Sequence, residues 1–440
     1  MQVIERLFHV TASGSTIRTE ILAGLTTFVT MAYIIFVQPT VLSAAGMDFG
    51  AVLVATCVAS GLATLLMAFL ANYPIAVAPA MGHNFFFAYT VVGLMKVPWP
   101  VALGAVAVAG CIFILTAGVG LRERVITAIP ETLKRGVAVG IGLLIALVGL
   151  EWAGIIVAAP GTYVTLGSLR SRPTIVALVG ILVAAILVAR RVRGALLGGM
   201  LASAAIGLAA GVIQFQGVVS PPPSIAPTFL KLNVAGVFQA TMIPVVLIFF
   251  FLALFDSVGT LVGVAGQAGL MKDGHLPRAR GALLADAIGT VAGAGLGTST
   301  VTAYIESAAG VSAGGRTGLA NVVTASLLFL SLFFYPLVRM IGGGVTAGTV
   351  TLYPVISPAL VLVGALMMRE VTHIKWEDPT DGIPAFLTIV IMPLAVSITD
   401  GIAFGFISYA VLKIAAGRGR EVDWLVYLFA ALFLLRYAWL

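Results

Sequence analysis

The chain has 440 residues, of which 60% are hydrophobic and 9% charged, and its formal net charge is +7. Soluble globular proteins carry about a quarter charged residues. This composition, with a mean hydropathy of +1.12, therefore excludes a soluble protein and predicts one embedded in a lipid bilayer. The positive charge does not indicate a nucleic-acid partner, because the basic residues are scattered between apolar segments. Cys57 and Cys111 lie inside apolar runs, so we expect no disulfide, metal site or cofactor.

Fourteen apolar segments are long enough to cross a membrane, which takes roughly 20 residues for a helix. The first seven are predicted at about 20–42, 49–71, 75–95, 98–120, 131–150, 173–190 and 194–216. The second seven are predicted at about 236–263, 279–296, 298–315, 317–340, 353–368, 382–399 and 401–417. A last apolar segment, 423–438, equally suits a membrane span and a helix at the membrane interface. The predicted fold class is an all-α polytopic membrane protein.

The loop charges predict the orientation of these segments. Lys and Arg concentrate in the loops on the same side as the N-terminus, as in Arg190, Arg191 and Arg193, or Arg122, Arg124 and Lys272. Cytoplasmic loops retain such residues, so we expect a cytoplasmic N-terminus in a plasma (bacterial inner) membrane. Two sets of seven segments have opposite orientations, which is the inverted repeat of many secondary transporters.

The third and tenth segments differ from ordinary membrane helices. The third reads NYPIAVAPAMGHNFFFAYTVV, where Pro74 and Pro79 cannot continue a helix. The tenth reads GLGTSTVTAYIESAAGVSAGG, where a β-branched run precedes the helix-favouring IESAAG. Each segment is therefore predicted to be half strand and half helix. Matching interruptions in the two halves indicate a binding site at the middle of the membrane.

Two acids are the main candidates for that site. Glu306 lies in the tenth segment, and an offset of about 222 residues places it opposite Asn84 in the third. Asp256 lies in the eighth segment, with no Lys or Arg before Lys272. Acids within a membrane are costly and usually functional. As alternatives, Glu306 caps its helix or pairs with an arginine, and Asp256 is a structural hydrogen-bond acceptor.

Other polar and aromatic residues are weaker candidates. Asp286 and Asp400 lie near segment ends and are predicted to be structural. His83 either titrates near neutral pH or satisfies a backbone group freed by the interruption. Of Phe85, Phe86 and Phe87, one is expected to stack on a planar ligand, since most phenylalanines in a span only pack.

Several segments resemble the nucleobase–cation symporter-2 family, in particular its adenine/guanine/hypoxanthine permeases. They are RTEILAGLTTFVTMAYIIFVQP, APAMGHNFFFAYTVV, FDSVGTLVGVAGQAGL, GTSTVTAYIESAAGVSAGGRTGL and GIPAFLTIVIMPLAVSITDGIAFGFISY. The resemblance implies a core domain (residues 1–120 and 236–340, spans 1–4 and 8–11) that moves like an elevator against a gate domain (121–235 and 341–417, spans 5–7 and 12–14). It also implies short strands in spans 3 and 10, proton-coupled uptake and a homodimer formed through the gate. Residues 418–440 would form a C-terminal apolar helix.

The resemblance also implies roles for individual residues. Asp256 and Glu306 match the family's binding acids, and Asn84 matches a polar position of the purine branch. Phe85 matches an aromatic that borders the base, Thr27 and Thr30 match first-span positions that face the site, and Thr260 stands where some relatives have histidine. We add His83 and Ser307, beside these positions, to the predicted site. The chain departs from the purine branch at Ala80, His83, Phe85 and Gly266, where Gly, Leu, Ala and Glu are usual.

The residue types fit a nucleobase as substrate. A buried carboxylate can accept two N–H groups from one edge of the ring, and asparagine can read a carbonyl–imino edge, which favours guanine and hypoxanthine. Because desolvation disfavours the ionised form of a carboxylate, Asp256 or Glu306 could also carry the coupled proton. A small-anion exchanger of the same fold would need a neutral or basic site. An enzyme would need catalytic clusters in longer loops, and a channel would need rings of similar groups. Xanthine or uracil remain alternative substrates.

Overall fold

The structure is a computed structural model that describes residues 2–119, 129–159, 161–271, 276–348 and 350–439. Arg122, Arg124 and Lys272, which contribute to the predicted charge bias, lie outside the described residues, as does the predicted domain boundary at 120/121. The architecture is almost entirely helical.

The elements of the first half follow one another in this order: α1 (Gln2–Phe8), α2 (Ile17–Met31), α3 (Tyr33–Ser43), α4 (Phe49–Leu70), β1 (Val77–Pro79), α5 (Met81–Phe85), a π-helix (Phe86–Leu94), α6 (Trp99–Val119), α7 (Glu131–Trp152), β2 (Ile156–Ala159), β3 (Tyr163–Leu166), α8 (Arg172–Ala189) and α9 (Ala195–Ala209).

The elements of the second half are short 3₁₀ turns (Ala235–Val237 and Ala240–Met242), α10 (Ile243–Gln267), α11 (Ala279–Leu296), β4 (Val301–Ala303), α12 (Ser307–Ser312), α13 (Gly318–Leu330), a 3₁₀ turn (Ser331–Phe334), α14 (Tyr335–Gly342), β5 (Val345–Ala347), β6 (Val350–Leu352), α15 (Ser357–Met367), a 3₁₀ turn (Met368–His373), α16 (Pro379–Leu394), α17 (Ile398–Ala415), a 3₁₀ turn (Gly419–Glu421) and α18 (Trp424–Trp439).

Eight helical stretches in the described residues are long and apolar enough to cross a membrane, such as Phe49–Leu70 and Ile243–Gln267. Shorter apolar helices include α9 and α16. Several predicted apolar segments, such as 49–71, 131–150 and 236–263, overlap these helices. The first is not one straight helix, because Ala32 separates α2 from α3. Thr26 and Thr30 in α2 donate their hydroxyl protons to the carbonyls of Leu22 and Thr26, a pattern that often bends helices.

Two β-hairpins were missed by the sequence prediction, which confined strands to the third and tenth segments. Strand β2 pairs antiparallel with β3, and β5 pairs antiparallel with β6. Their side chains are mostly exposed, and both hairpins connect apolar helices. Short alternating runs between spans carry too few residues to stand out against the strong hydropathy pattern of the helices.

The strands β1 and β4 bring the third and tenth segments together at the centre of the molecule. They pair antiparallel, with Val77 opposite Ala303 and Pro79 opposite Val301. All six of their residues are buried. The backbone N–H of Ala80 also donates to the carbonyl of Thr300, at 3.0 Å. Extended backbone at membrane depth is tolerated when protein surrounds it, and here helices cover the pair.

The turn that leads from α11 into β4 depends on Gly297. Its φ is +105°, and an added Cβ would lie 2.2 Å from the Cβ of Thr228. Glycine alone adopts this backbone conformation without strain and leaves room for the neighbouring side chain. This residue therefore sets the direction in which β4 begins.

The helices pack in two sets. Around the β1–β4 pair, α2 packs on α12 and α13, α4 packs on α11 and α13, and α6 packs on α10 and α11. In the second set, α7 packs on α15 and α16, α16 on α17, and α8 on α9. The last helix, α18, packs on α17.

Candidate functional site

Glu306 lies just before α12, between β4 and that helix. Its carboxylate does not cap the helix but accepts a hydrogen bond from the hydroxyl of Tyr33, at 2.6 Å. Its backbone carbonyl lies 3.2 Å from Thr30 Oγ1, whose proton is shared with closer carbonyls inside α2. Among the described residues, no Lys or Arg forms an ion pair with it. The two structural alternatives, a helix cap and an arginine pair, are therefore wrong, and Tyr33 holds the acid at the interruption.

Asp256 lies in the middle of α10 and faces β4. Its Oδ2 accepts a hydrogen bond from Thr302 Oγ1, at 2.8 Å. Tyr304, two residues further on, donates its hydroxyl proton to the carbonyl of Pro79, at 2.6 Å, and so joins the two interrupted segments. Thr302, which donates to Asp256, lies only four residues before Glu306 in the sequence. The strand β4 and the residues after it thus place both acids in one site.

The face of α10 that carries Asp256 is open. Asp256, Gly259, Gly263 and Gly266 are exposed at helical spacing, and a Cβ built on any of these three glycines would meet nothing within 4 Å. Space beside a carboxylate in a membrane-spanning helix admits a ligand or water. Gly266, one of the positions where the sequence departs from the resemblance, belongs to this open face.

Asn84 lies in α5, which packs against α3 and α10, and its side chain is fully buried. Its Oδ1 accepts a short hydrogen bond from Ser299 Oγ, whereas its Nδ2 has no hydrogen-bond partner among the described residues. The sequence prediction placed Asn84 and Glu306 at equivalent positions of their two half-helices. Counted from the helix starts, the two positions differ by four residues. Ala80 and Glu306 are the residues that precede α5 and α12, so Asn84 lies a full turn further into its helix.

The ring residues beside Asn84 are buried. His83 is 3% exposed, and neither ring nitrogen has a hydrogen-bond partner in the described part of the chain. The expectation that it satisfies a freed backbone group is therefore wrong. Phe85 is stacked on Tyr89, with 5.5 Å between the ring centroids, while Phe86 packs edge-on against Phe249.

The remaining predicted residues have structural contacts. Thr27 faces Gly310 of α12, where an added Cβ would lie 2.0 Å from the threonine hydroxyl. Ser307 Oγ accepts a hydrogen bond from the backbone N–H of Ala76, at 2.9 Å, and so ties β1 to α12. Thr260 is buried on α10, one turn from Asp256.

The sequence prediction missed the residues that hold the acids and the amide. Tyr33 and Thr302 donate to the two carboxylates, and Gln38 and Ser299 form the hydrogen bonds behind Asn84. One sequence feature could have found Gln38, since a glutamine in the apolar run YIIFVQPT is costly in a membrane unless it has partners. No sequence feature singles out Tyr33 or Thr302, because tyrosine and threonine are common in apolar helices and strands.

A separate cavity of about 710 Å³ lies on another side of α10. Apolar side chains of α7, α10, α17 and α18 line it, including Phe251, Phe255, Phe406 and Phe429. Its wall carries Lys134, which is already paired with Glu131 at 2.8 Å. This cavity borders the helix of Asp256 but offers no set of polar groups to bind a nucleobase.

A mostly helical chain in which the described residues form eight apolar stretches long enough to cross a membrane is a multi-pass membrane protein. The family model Xan_ur_permease, described as a permease family, matches residues 18–404. The chain belongs to this family, that of the nucleobase/ascorbate transporters, and the resemblance found in the sequence is confirmed.

Curated relatives match along almost their whole length. The chain is 51% identical to a putative permease of Methanocaldococcus jannaschii, covering 100% of this chain and 99% of the relative. It is 43% identical to the adenine permease AdeP of Escherichia coli, over 99% of this chain and 96% of AdeP. It is 44% identical to the guanine/hypoxanthine permease PbuO of Bacillus subtilis, over 98% and 99%.

Solved structures share the fold. The transmembrane domain of the cyanobacterial bicarbonate transporter BicA superimposes with a TM-score of 0.63 at 17% identity, covering 87% of this chain and 97% of that domain. The murine anion transporter Slc26a9 in its inward-facing state gives a TM-score of 0.62 at 14% identity, covering 94% of this chain and 72% of that chain. At these identities the likeness concerns the polytopic fold alone.

Proposed function

We propose that the protein takes up purine nucleobases (guanine, hypoxanthine or adenine) by proton-coupled secondary active transport. The observation that carries the proposal is the pair of acids, Glu306 and Asp256, held by Tyr33 and Thr302 beside open space on α10. Relatives named as adenine and guanine/hypoxanthine permeases share 43 to 44% of its residues.

The chemistry of the site suits a flat ring with fixed donors. The carboxylate of Glu306 has lone pairs beyond the one that Tyr33 uses, so it can accept two N–H groups from one edge of a base. Such charge-assisted hydrogen bonds are strong away from bulk water. Asn84 supplies an amide for another edge. A base that lacks the matching groups leaves these buried atoms unpaired, which excludes it.

The same acids provide a route for the coupled proton. We assign Glu306 to the base, and Asp256 either to the coupled proton or to the base as a second ligand. Two carboxylates whose charges repel are more stable when one of them is protonated. A proton that arrives with the base from the outside would be released on the inside, where the site opens.

The transport movement follows from the proposed domain layout. We propose fourteen spans in a seven-plus-seven inverted repeat, with a core of residues 1–120 and 236–340 that moves like an elevator against a gate of residues 121–235 and 341–417. The antiparallel pairing of β1 with β4, one from each half, supports this symmetry, as does the packing of the helices in two sets. Following the family resemblance, we place the protein in the plasma membrane as a homodimer formed through the gate, with its N-terminus in the cytoplasm.

The alternative substrate is a small anion, since the fold is similar to that of the bicarbonate transporter BicA. The site does not favour it, because in the described residues neither Asp256 nor Glu306 is paired with a Lys or Arg. Two acids would repel an anion in a region of low dielectric. The protein shares its fold with the bicarbonate transporter, but an anion would need a neutral or basic site and this site is acidic.

Uptake into cells that lack their own nucleobase permeases tests the proposal. Labelled hypoxanthine, guanine, adenine, xanthine and uracil would be supplied at two external pH values to cells that express the wild type, Glu306→Gln or Asp256→Asn. Glu421→Gln is the control, because this exposed acid pairs with Arg418 in the turn between α17 and α18. We expect acid-stimulated purine uptake that only the first two variants lose. Absence of uptake of any purine by well-expressed wild type would contradict the proposal.

A further inference from the structure

The amide of Asn84 is the end of a chain of buried hydrogen bonds. Gln38 Nε2 in α3 donates to Thr298 Oγ1, at 2.9 Å, and to Ser299 Oγ, at 3.2 Å. Ser299 Oγ in turn donates to Asn84 Oδ1. Gln38, Thr298, Ser299 and Asn84 are all fully buried. This chain joins three segments of the fold: α3, the turn before β4, and α5.

The chain of hydrogen bonds has a direction. A serine hydroxyl has one proton to give, and here Asn84 Oδ1 takes it, since the Gln38 amide occupies a lone pair of the same oxygen. The carbonyl side of the Asn84 amide is therefore in use. Its Nδ2, like Gln38 Oε1 at the other end of the network, has no partner among the described residues, and a buried polar group without a partner is costly. A ligand that brings an acceptor to this nitrogen removes that cost.

We propose that Gln38 and Ser299 are positioning residues that turn the Asn84 amide so that its NH₂ group faces the substrate and selects 6-oxopurines over 6-aminopurines. This inference rests on the proposed function. Hypoxanthine and guanine carry a carbonyl oxygen at position 6, which accepts the Nδ2 proton. Adenine carries an amino group there, so that donor would face donor. The selectivity is set by the two residues behind the asparagine, which do not touch the base.

Reversing the direction of these hydrogen bonds should reverse the preference for hypoxanthine over adenine. In Gln38→Glu the side chain can only accept when ionised, so Ser299 donates to it and has its own lone pair free for Asn84 Nδ2. The amide then presents Oδ1 to the ligand, which suits the amino group of adenine. In Ser299→Ala the link is absent, the amide can turn either way, and the preference should fade.

The experiment measures KM for hypoxanthine and for adenine in cells expressing wild type, Ser299→Ala, Gln38→Glu and Thr40→Val. Thr40 is the control, because it lies on the same helix, is buried, and bonds to the carbonyls of Phe36 and Gly342 instead. Wild type should favour hypoxanthine by about tenfold or more, the effect of one mismatched buried donor. The ratio should approach one in Ser299→Ala, shift toward adenine in Gln38→Glu, and stay at the wild-type value in Thr40→Val.

The outcomes separate this inference from the proposed function. Failure of wild type to take up hypoxanthine, adenine or guanine refutes the proposed function. Uptake with a preference for adenine, or a ratio that Ser299→Ala leaves unchanged, refutes the positioning role while the proposed function stands. If Gln38→Glu does not reach the membrane, the ratio in Ser299→Ala decides alone. A merely structural role would lower uptake of both bases together and leave their ratio as it is.

Discussion

Replacing Tyr33 with phenylalanine removes one hydroxyl and keeps the ring. In the structure that hydroxyl donates to Glu306 Oε1 at 2.6 Å, a short bond to a group that carries charge when ionised. Hydrogen bonds to charged groups contribute roughly 1.5–3 kcal/mol. Because this bond holds the carboxylate in the position where it would contact the base, losing the bond should weaken the binding of the base. At about 1.4 kcal/mol per tenfold in affinity, KM for the purine should rise about 10- to 100-fold.

Initial rates of labelled hypoxanthine uptake, normalised to the amount of protein in the membrane, measure that change. Tyr427→Phe is the matched control, because it loses a hydroxyl that donates to the carbonyl of Gly419 at 2.8 Å, far along the chain from the acids. We expect wild-type KM in the control. A KM for Tyr33→Phe within about twofold of wild type, at equal expression, would show that Tyr33 does not position Glu306 for the substrate.

Three further predictions concern Asp256, the turn into β4 and a loop ion pair. Thr302→Val removes the hydrogen bond to Asp256 and should weaken acid-stimulated uptake about tenfold, whereas Thr302→Ser should keep it, measured as the ratio of uptake at two external pH values. Gly297→Ala should lower the free energy of unfolding by roughly 2 kcal/mol or more, seen as a reduced Tm, because it combines a φ of +105° with a contact on Thr228. The Thr380 hydroxyl and the Arg418 guanidinium hold the pKa of Asp378 below its usual range, so Arg418→Gln should lower Tm by a constant amount between about pH 5 and 8. That difference should shrink below about pH 4, the usual value for aspartate.

Each of these has its own control and contrary result. Equal losses in Thr302→Val and Thr302→Ser would mean that the hydroxyl is not what matters. Gly211→Ala serves as the control for Gly297, since its φ is +65° but nothing lies within 4 Å of an added Cβ; an equal loss of Tm in both would exclude the contact with Thr228 as a cause. For Arg418, the stability from a lowered pKa is present above the unfolded pKa and lost as pH falls through the folded one. A Tm difference that grew on acidification would contradict this account.

The helical segments were predictable because a membrane imposes a simple rule on them. Any span of about 20 apolar residues that is not interrupted must be helical in lipid, where backbone groups find no water. Runs such as Phe49–Leu70 and Ile243–Gln267 therefore appear in the sequence almost as they appear in the structure. The third and tenth segments were predictable for the opposite reason, since prolines and β-branched runs at matching places break that rule.

The contacts of the site were less predictable than its acids. Asp256 and Glu306 stand out because a charge in an apolar run needs an explanation, but nothing in the sequence pairs Tyr33 with Glu306, 273 residues away. Those contacts arise only when β1 and β4 align the two halves. The same alignment sets the helix starts, and this is why the constant offset misplaced Asn84 relative to Glu306 by a full turn.

The most direct test of the account is equilibrium binding of labelled guanine, whose N1–H and 2-amino group lie on one edge, to purified wild type, Glu306→Gln and Glu421→Gln. Loss of the charge that pairs with these two N–H groups should weaken binding about 100-fold, while Glu421→Gln, which changes an exposed acid paired with Arg418, should bind as wild type does. Saturable binding that is weak only in Glu306→Gln is the result that the account predicts. Equal affinity in all three proteins would mean that Glu306 does not hold the base, and would contradict it.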